Sequence, residues 1–321
     1  MAVVATGFFD GVHRGHQAVV RRLVSEASSR GEDSVIVTFS PHPRAVLQNG
    51  APQLRLLTSD EEKTALLRAL HVDRVEILPF TRDFARLTAE QYVRDILIGR
   101  FGASAIVFGY DNRIGSDGAG VSEVKAIAAR YGVDVIACGA VPLSELSCRH
   151  SERGPEGEAG RANISSTTIR HALERGEVRE ASAMLGYDYF LNGVVVGGAK
   201  IGRTIGFPTA NLRLSEPLKL IPANGVYIVR VGLPALYPDG RQLYGMCNIG
   251  FRPTVNCGSD ITIETNIFDF DEEIYSLPLR ISFLRRLRPE TRFSSTTTLR
   301  DQLQADARLC RELSAAKGWD A

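Results

Sequence analysis

The sequence predicts two domains: an α/β domain built on a parallel sheet, followed by a small antiparallel β-barrel or sandwich that ends in a helix. A chain of 321 residues is about twice the length of a common single domain. Strands alternate with helices up to residue 185, and beyond it short alternating apolar runs are separated by Gly, Pro and Asn. We therefore expect domains at residues 1–185 and 186–321.

The first domain shows a repeating pattern of strand and helix. Short apolar runs predict strands at 2–8, 34–39, 74–80, 104–109 and 133–139. Apolar residues at helical spacing predict helices at 17–31, 61–72, 89–101 and 121–132. Strands joined by helices pair in parallel, and ligands of such doubly wound sheets bind at the carboxyl ends of the strands. Chemistry is therefore expected in the turns that follow the strands.

The pattern changes in the second half of the chain. Residues 150–163, rich in Gly and charge, predict a mobile surface loop. Hydroxyl caps and helical spacing predict two helical segments within 165–186, ended by Gly186. The alternating runs after Tyr189 then predict the barrel, and 295–316 predicts a closing helix packed on it.

Composition and charge exclude several classes of partner. The 38 basic and 37 acidic side chains leave a net charge of +1, whereas nucleic-acid binding requires a concentrated basic excess. Five cysteines without a CxxC pair indicate neither a disulfide framework nor a zinc site. The start of the chain does not resemble a signal peptide, and no apolar run approaches the ~18 residues of a membrane span. We expect a cytoplasmic protein with small-molecule substrates, and nothing indicates an oligomer.

The turn after the first predicted strand is a candidate anion site. It has the sequence GFFDGVHRGH at 7–16. Free N–H groups and the helix dipole favour an anion there, and His13 and His16 are donors that can stabilise charge on a reacting phosphate. Glycines at 7 and 15 allow close approach of the backbone to a ligand. The alternative is a tight turn with two incidental surface histidines.

A second phosphate site is predicted where the next helix begins, at ISSTTIR in 164–170. Ser166 and Thr167 are suited to bind phosphate oxygens, and Arg170 can clamp them one turn later. An ordinary helix N-cap is the alternative. Because the chain also has the HxGH motif at 13–16, we favour the interpretation that the two segments form the two sides of one nucleotide site.

The third candidate site lies in the second domain, where 192–211 is dense in glycine. Glycines inside strands suggest close approach of the backbone to a ligand. Thr209 and Asn211 project on the same side of an extended segment, and their oxygens suit Mg²⁺ held jointly with nucleotide phosphates. The alternative is a glycine-rich barrel corner.

These motifs resemble the HxGH nucleotidyltransferase superfamily, and specifically the bacterial bifunctional riboflavin kinase/FAD synthetase family. The first half shares further motifs with that family's FMN adenylyltransferase domain: TFSPHP at 38–43, LT at 57–58, EK at 62–63 and GYDNRIG at 109–115. The second half shares motifs with its riboflavin kinase domain: GRTIGFPTAN at 202–211, NGVY at 224–227, YG at 244–245, NIGFRPT at 248–254, IE at 263–264, FDF at 268–270 and RPETRF at 288–293. The resemblance covers nearly the whole chain, in order.

The resemblance implies a Rossmann-like nucleotidyltransferase domain, a riboflavin kinase β-barrel with a C-terminal helix, and an enzyme that uses ATP and Mg²⁺ to convert riboflavin to FMN and FMN to FAD. The implied catalytic residues are Glu264, the base for the riboflavin hydroxyl, with His13 and His16. The implied nucleotide-binding residues are Gly7, Phe9, Asp10, Gly15, Asp111, Ser166, Thr167, Arg170, Gly202, Thr209 and Asn211. The implied flavin-binding residues are Pro41, His42, Pro43 and Arg288, and the implied metal ligands are Thr209 and Asn211.

The chain departs from the family pattern at a few positions. Asn112 and Ile114 stand where an aromatic residue is usual, Asn266 where histidine is frequent, and Ser276 where glycine is frequent. One alternative is therefore a riboflavin kinase with an impaired adenylyltransferase domain. Another is a flavin- or nucleotide-binding regulator without turnover, although a binder would not need a base such as Glu264.

Overall fold

The computed structural model describes residues 1–47, 54–145, 163–198, 201–254 and 258–315. The chain divides into two compact units, Met1–Ser166 and Thr167–Ala321. No helix within the described ranges is long and apolar enough to cross a membrane. The loop predicted at 150–163 lies outside the described residues except for Asn163.

The first unit contains a five-stranded parallel sheet. Its strands are β1 (Ala2–Thr6), β2 (Asp33–Ser40), β3 (Arg74–Pro79), β4 (Ala103–Gly109) and β5 (Asp134–Cys138). They pair in the order β3-β2-β1-β4-β5, with Val4 beside both Val35 and Ile106. Because the chain runs outward from β1 to β3 and then crosses to β4, the strand order reverses between β1 and β4. Ligands of open parallel sheets bind at such a point.

Helices cover both faces of this sheet. They are α1 (Arg14–Arg30), α2 (Pro43–Leu47), α3 (Asp60–Arg68), α4 (Ala89–Gln91) and α5 (Val121–Ala129). Leu23 of α1 and Leu67 of α3 pack with Val3 on one face, while Val93 and Val124 belong to the core of the other. The parallel α/β prediction is confirmed, and each predicted strand agrees with the structure within two residues at either end.

Local sequence signals explain where the helices begin and end. Gly31 ends α1 in the left-handed conformation, with φ 65°. Ser59 and Glu62 cap α3 reciprocally, each side chain accepting the backbone N–H of the other residue. The helix predicted at 89–101 is α4 followed by a π-helical segment, Tyr92–Ile98, which the apolar spacing alone does not distinguish from an α-helix.

The second unit contains a closed antiparallel barrel with flanking helices. Its strands are β6 (Phe190–Val196), β7 (Ala210–Leu214), β8 (Gly225–Gly232), β9 (Gln242–Thr254), β10 (Gly258–Ile267) and β11 (Pro278–Arg288). They pair in the order β10-β7-β6-β11-β8-β9, and pairing of β9 with β10 closes the ring. The helices are α6 (Ser166–Arg175), which starts at the last residue of the first unit, α7 (Val178–Leu185), α8 (Ile201–Thr204) and α9 (Thr296–Ala315). Short 3₁₀ turns elsewhere in the described chain are Asp10–Val12, Phe84–Arg86 and Leu143–Glu145.

The closing helix α9 packs on the barrel, as the sequence predicts. Ala307 and Cys310 of α9 share a core with Ile228 and Met246. Burial raises the pKa of the Cys310 thiol to about 12, and that of the Cys247 thiol in β9 to about 12 as well. Both thiols are therefore packing groups of the barrel.

Candidate active sites

The turn between β1 and α1 has a strained backbone. Phe9 and Val12 have positive φ values of 53° and 38°, which cost free energy for residues with a Cβ and are enriched at functional sites. The strained turn brings His13 to the N-cap of α1, where its Nδ1 accepts a hydrogen bond from the His16 backbone N–H at 3.4 Å.

The two histidine side chains form a stacked pair. Their ring centroids lie 3.7 Å apart at an interplanar angle of 18°, and the Phe9 ring meets His16 edge-on at 5.2 Å. Because His13 Nδ1 accepts a bond, its neutral ring carries hydrogen on Nε2, which is a donor for an incoming oxygen. Burial of His16, followed by repulsion from His13, lowers the pKa of His16 well below its usual value of 6.5. His16 is therefore uncharged at neutral pH.

A buried carboxylate fixes the shape of this turn. Asp10 is 3% exposed, and its carboxylate accepts hydrogen bonds from the backbone N–H groups of Leu57 and Thr58 at 3.0 Å. The Thr58 hydroxyl in turn accepts from the Gly11 N–H at 3.0 Å. The Ser166 hydroxyl donates to the Asp10 carbonyl at 2.9 Å. Asp10 thus ties the turn to the segment of Leu57 and Thr58 through its carboxylate and to Ser166 through its carbonyl.

Two neighbouring strand ends add side chains to the same edge of the sheet. After β2, the His42 ring packs on the Phe8 ring at 4.1 Å, and the buried Lys63 ammonium lies 4.4 Å from the Phe8 ring centroid. After β4, Asn112 Nδ2 donates to the carbonyl of Thr6, the last residue of β1, at 2.6 Å. Side chains following β1, β2 and β4 therefore meet at the carboxyl edge, around the point where the strand order reverses.

The second unit has its own polar site, on β7 and β10. Glu264 pairs across the strands with Asn211, and the Thr209 hydroxyl donates to Glu264 Oε2 at 3.1 Å. All three side chains are partly buried. They bring a hydroxyl, an amide and a carboxylate together on one side of the barrel.

Glycines surround this site because there is no room for a side chain. A Cβ on Gly198 would lie 2.3 Å from Asn211 Nδ2, and one on Gly202 would lie 2.1 Å from the Phe207 carbonyl oxygen. A cavity of about 280 Å³ lies next to the site, lined by Thr209, Arg203 and Tyr275 among others. The geometry is that of a small-molecule site with closely approaching backbone.

Family models and curated relatives match the chain over nearly its whole length. The FAD synthetase model matches residues 1–150, and the riboflavin kinase model matches residues 185–314. The bifunctional riboflavin kinase/FMN adenylyltransferase of Listeria monocytogenes is 36% identical over 95% of this chain and 90% of its own. The chain belongs to this family. The Bacillus subtilis protein of the same name is 33% identical, over 95% of this chain and 90% of its own.

Among solved structures, one from Streptococcus pneumoniae described as a macrolide-efflux protein is similar to this chain with a TM-score of 0.83. It is 33% identical and covers 97% of this chain and 94% of its own. The bifunctional riboflavin kinase/FMN adenylyltransferase family thus accounts for both units, with a FAD synthetase domain followed by a riboflavin kinase domain.

In the FAD synthetase domain, the residues predicted from the HxGH motif converge on the β1–α1 turn. These are Gly7, Phe9, Asp10, His13, Gly15 and His16, and Ser166 bonds to the same turn. Pro41 and Pro43 flank His42 at the end of β2, and Asp111 is exposed after β4. Thr167 and Arg170 lie on α6 in the second unit.

In the riboflavin kinase domain, Thr209, Asn211 and Glu264 are brought together, with Gly202 on the adjacent α8. The Arg288 guanidinium pairs with the buried Asp306 of α9 at 2.8 Å. A flavin contact of Arg288 stays a prediction. Reasoning from the sequence missed the side-chain bonds of Thr58, Asn112 and Asn266, which join segments far apart in the chain and follow no local pattern.

Replacement of Gly15 by Ala should impair the histidine pair. A Cβ at this position would lie 3.1 Å from the His13 ring, which stacks on the His16 ring; the Phe9 ring in turn contacts His16. At that distance the ring must shift by a few tenths of an ångström. Since a misplacement of about 1 Å in a site can cost about 10²-fold, we expect FAD formation from FMN to fall by up to about tenfold, with little change in Tm. Gly139→Ala is the matched control, because nothing lies within 4 Å of its Cβ position. Equal rates for the two variants would contradict the prediction.

Proposed function

We propose that this enzyme makes FAD from riboflavin in two ATP-dependent steps, the first in residues 186–321 and the second in residues 1–185. The observation that carries the proposal is the bond between Thr209 and Glu264 in a domain matched by the riboflavin kinase model. It places a carboxylate beside a hydroxyl and an amide that suit a metal–nucleotide complex. A cytoplasmic location, where the free thiols of the described chain stay reduced, is part of the proposal.

In the kinase step, Glu264 takes the proton of the riboflavin 5′-hydroxyl as that oxygen attacks the γ-phosphorus of ATP, and ADP leaves. An alcohol needs such a base because it is not ionised at neutral pH. The Thr209 hydroxyl holds one oxygen of the Glu264 carboxylate at 3.1 Å. The base is thereby oriented before substrate binds.

Thr209 and Asn211 fit a Mg²⁺ ion that is shared with ATP. Both supply neutral oxygen donors beside the Glu264 carboxylate, and the absence of a Cβ at Gly198 and Gly202 allows the backbone to approach them closely. The Thr209 oxygen keeps lone pairs for a cation while its hydrogen points to Glu264. When bound, the ion would neutralise charge on the phosphates.

In the adenylylation step, the phosphate of FMN attacks the α-phosphorus of ATP and pyrophosphate leaves. The attacking phosphate is already ionised, so the site needs donors rather than a base. The α1 N-terminus and the Nε2–H of His13 are such donors, and His16 stacks behind that ring. Catalysis here is positioning and charge stabilisation.

The lowered pKa of His16 should make stability pH-dependent in acid. Between the folded-state pKa and the ordinary value of 6.5, the unfolded chain binds more protons than the folded protein. The free energy of unfolding therefore falls as pH falls below 6.5 towards the folded-state pKa. In thermal melts between about pH 7 and about pH 5, His16→Asn should lose less Tm than the unmodified protein. His71→Asn, at an exposed histidine, should behave like the unmodified protein; an equal loss in all three would mean that His16 titrates normally.

Chromatography of flavins tests the proposed function directly. Purified protein incubated with riboflavin, ATP and Mg²⁺ should form FMN first and then FAD. Accumulation of FMN without FAD would favour the riboflavin kinase with an impaired adenylyltransferase, to which the Asn112 and Ile114 departures point. Unchanged riboflavin, together with no conversion of supplied FMN, would refute both activities.

A further inference from the structure

We infer that Asn266 is a positioning residue of the kinase site, which holds Thr209 in place to orient Glu264. The inference rests on the proposed function and concerns the part of β10 beyond Glu264. Asn266 Nδ2 donates to the Pro208 carbonyl at 2.7 Å. Thr209, the next residue, donates to Glu264 at 3.1 Å.

The strand pairing explains why a side chain is needed here. The ladder between β10 and β7 contains two residue pairs, Glu264 with Asn211 and Thr265 with Ala210, and then ends. Pro208 has no N–H, so it cannot extend the ladder as a donor. At this end of the ladder, the Asn266 side-chain amide binds the Pro208 carbonyl and so holds the backbone immediately before Thr209.

Two side-chain bonds therefore join the same pair of segments. Glu264 and Asn266 are two residues apart on β10, so they lie on the same face of the strand. They bond to consecutive residues, Thr209 and Pro208. Without the Asn266 bond, the segment loses its side-chain tie at Pro208 and keeps the one between Thr209 and Glu264.

The surroundings make the Asn266 bond difficult to replace. Asn266 is 8% exposed, so water has little access to substitute for the amide. On the other side of β10, a Cβ at Gly245 would lie 2.4 Å from the Asn266 carbonyl oxygen, so β9 and β10 are in close backbone contact there. The strand cannot move towards β9 to relieve a change at position 266.

The relevant property of position 266 is an N–H donor rather than size. Leucine has the same branching at Cγ as asparagine but is larger and has no donor. Aspartate has nearly the same size and shape but presents oxygens that repel the Pro208 carbonyl. Histidine carries Nδ1 at the same distance from Cβ as the asparagine amide nitrogen. The series Asn266→Leu, Asn266→Asp and Asn266→His thus separates a donor role from simple packing.

The test measures kcat and KM for riboflavin phosphorylation in the full-length variants, with conversion of supplied FMN to FAD as the internal control. Loss of one buried hydrogen bond corresponds to about a five- to hundredfold effect. We expect kcat to fall about tenfold or more in the Leu and Asp variants, with KM for riboflavin within about twofold, since a misplaced base acts in the transition state. Asn266→His should retain kcat within about threefold, and adenylylation should be unchanged in all three.

Three outcomes overturn the inference. One is an unchanged kcat in a folded Leu or Asp variant, with Tm and adenylylation preserved. Another is a His variant that loses kcat as fully as the Leu variant, which would show that packing matters rather than the donor. The third is a KM increase without loss of kcat. If the unmodified protein fails to phosphorylate riboflavin, the proposed function fails instead, and the two failures are distinguishable.

Discussion

Replacement of Glu264 by Gln should abolish FMN formation while leaving the conversion of supplied FMN to FAD intact. Glutamine keeps the shape of the side chain and its carbonyl can still accept the Thr209 hydroxyl, so the local fold should survive. It cannot take a proton at neutral pH. General-base catalysis typically contributes about 10²- to 10⁴-fold, and kcat for riboflavin phosphorylation should fall by that amount.

Glu312→Gln provides the matched control, because Glu312 is an exposed residue of α9 and the substitution is the same. It should leave both steps at the level of the unmodified protein. Flavin chromatography with riboflavin and FMN as separate starting materials resolves the two activities. Substantial FMN formation by Glu264→Gln would mean that another group deprotonates riboflavin.

Replacement of His16 by Asn should have the opposite selectivity, stopping FAD formation while FMN still accumulates from riboflavin. His16 stacks on His13 at 3.7 Å and contacts the Phe9 ring, so its loss removes both a polar group and the support of the His13 ring. Loss of one donor that stabilises transition-state charge typically costs about 10²- to 10³-fold in kcat. We expect an effect of that size on adenylylation.

His71→Asn is the control for this experiment. His71 is exposed and has a φ of 63°, a conformation that asparagine tolerates well, so this variant should be fully active. Loss of both reactions in a folded His16→Asn protein would contradict the assignment of two separate sites. So would undiminished FAD formation.

The sequence predicts the architecture well because periodicity carries that information locally. The apolar runs at 34–39 and 104–109 correspond to β2 and β4, since buried parallel strands are continuous in apolar residues. The closing helix predicted at 295–316 is α9, Thr296–Ala315. The short helix α2 was not predicted, because five residues are too few for a periodic signal.

The site is only partly predictable because its supporting contacts are long-range. The HxGH motif is local, so the β1–α1 turn and the neighbouring positions of its histidines follow from the sequence. By contrast, the Asp10 carboxylate binds the backbone of Leu57, and Asn112 reaches the carbonyl of Thr6. Nearly every residue type has the same backbone donor and acceptor, so the sequence does not show which backbone groups these side chains bind. Only the fold identifies them.

The high pKa values of Cys247 and Cys310 have a consequence for how the barrel responds to chemical stress. Only the thiolate reacts readily with oxidants and electrophiles, and at a pKa of about 12 it forms about 10⁻⁵ of the thiol at neutral pH. Cys247 pairs across the strands with Thr265, the residue next to Glu264. Although a sulfur atom lies so close to the proposed base, alkylating agents and thiol oxidants should leave Cys247 unmodified as long as the barrel stays folded.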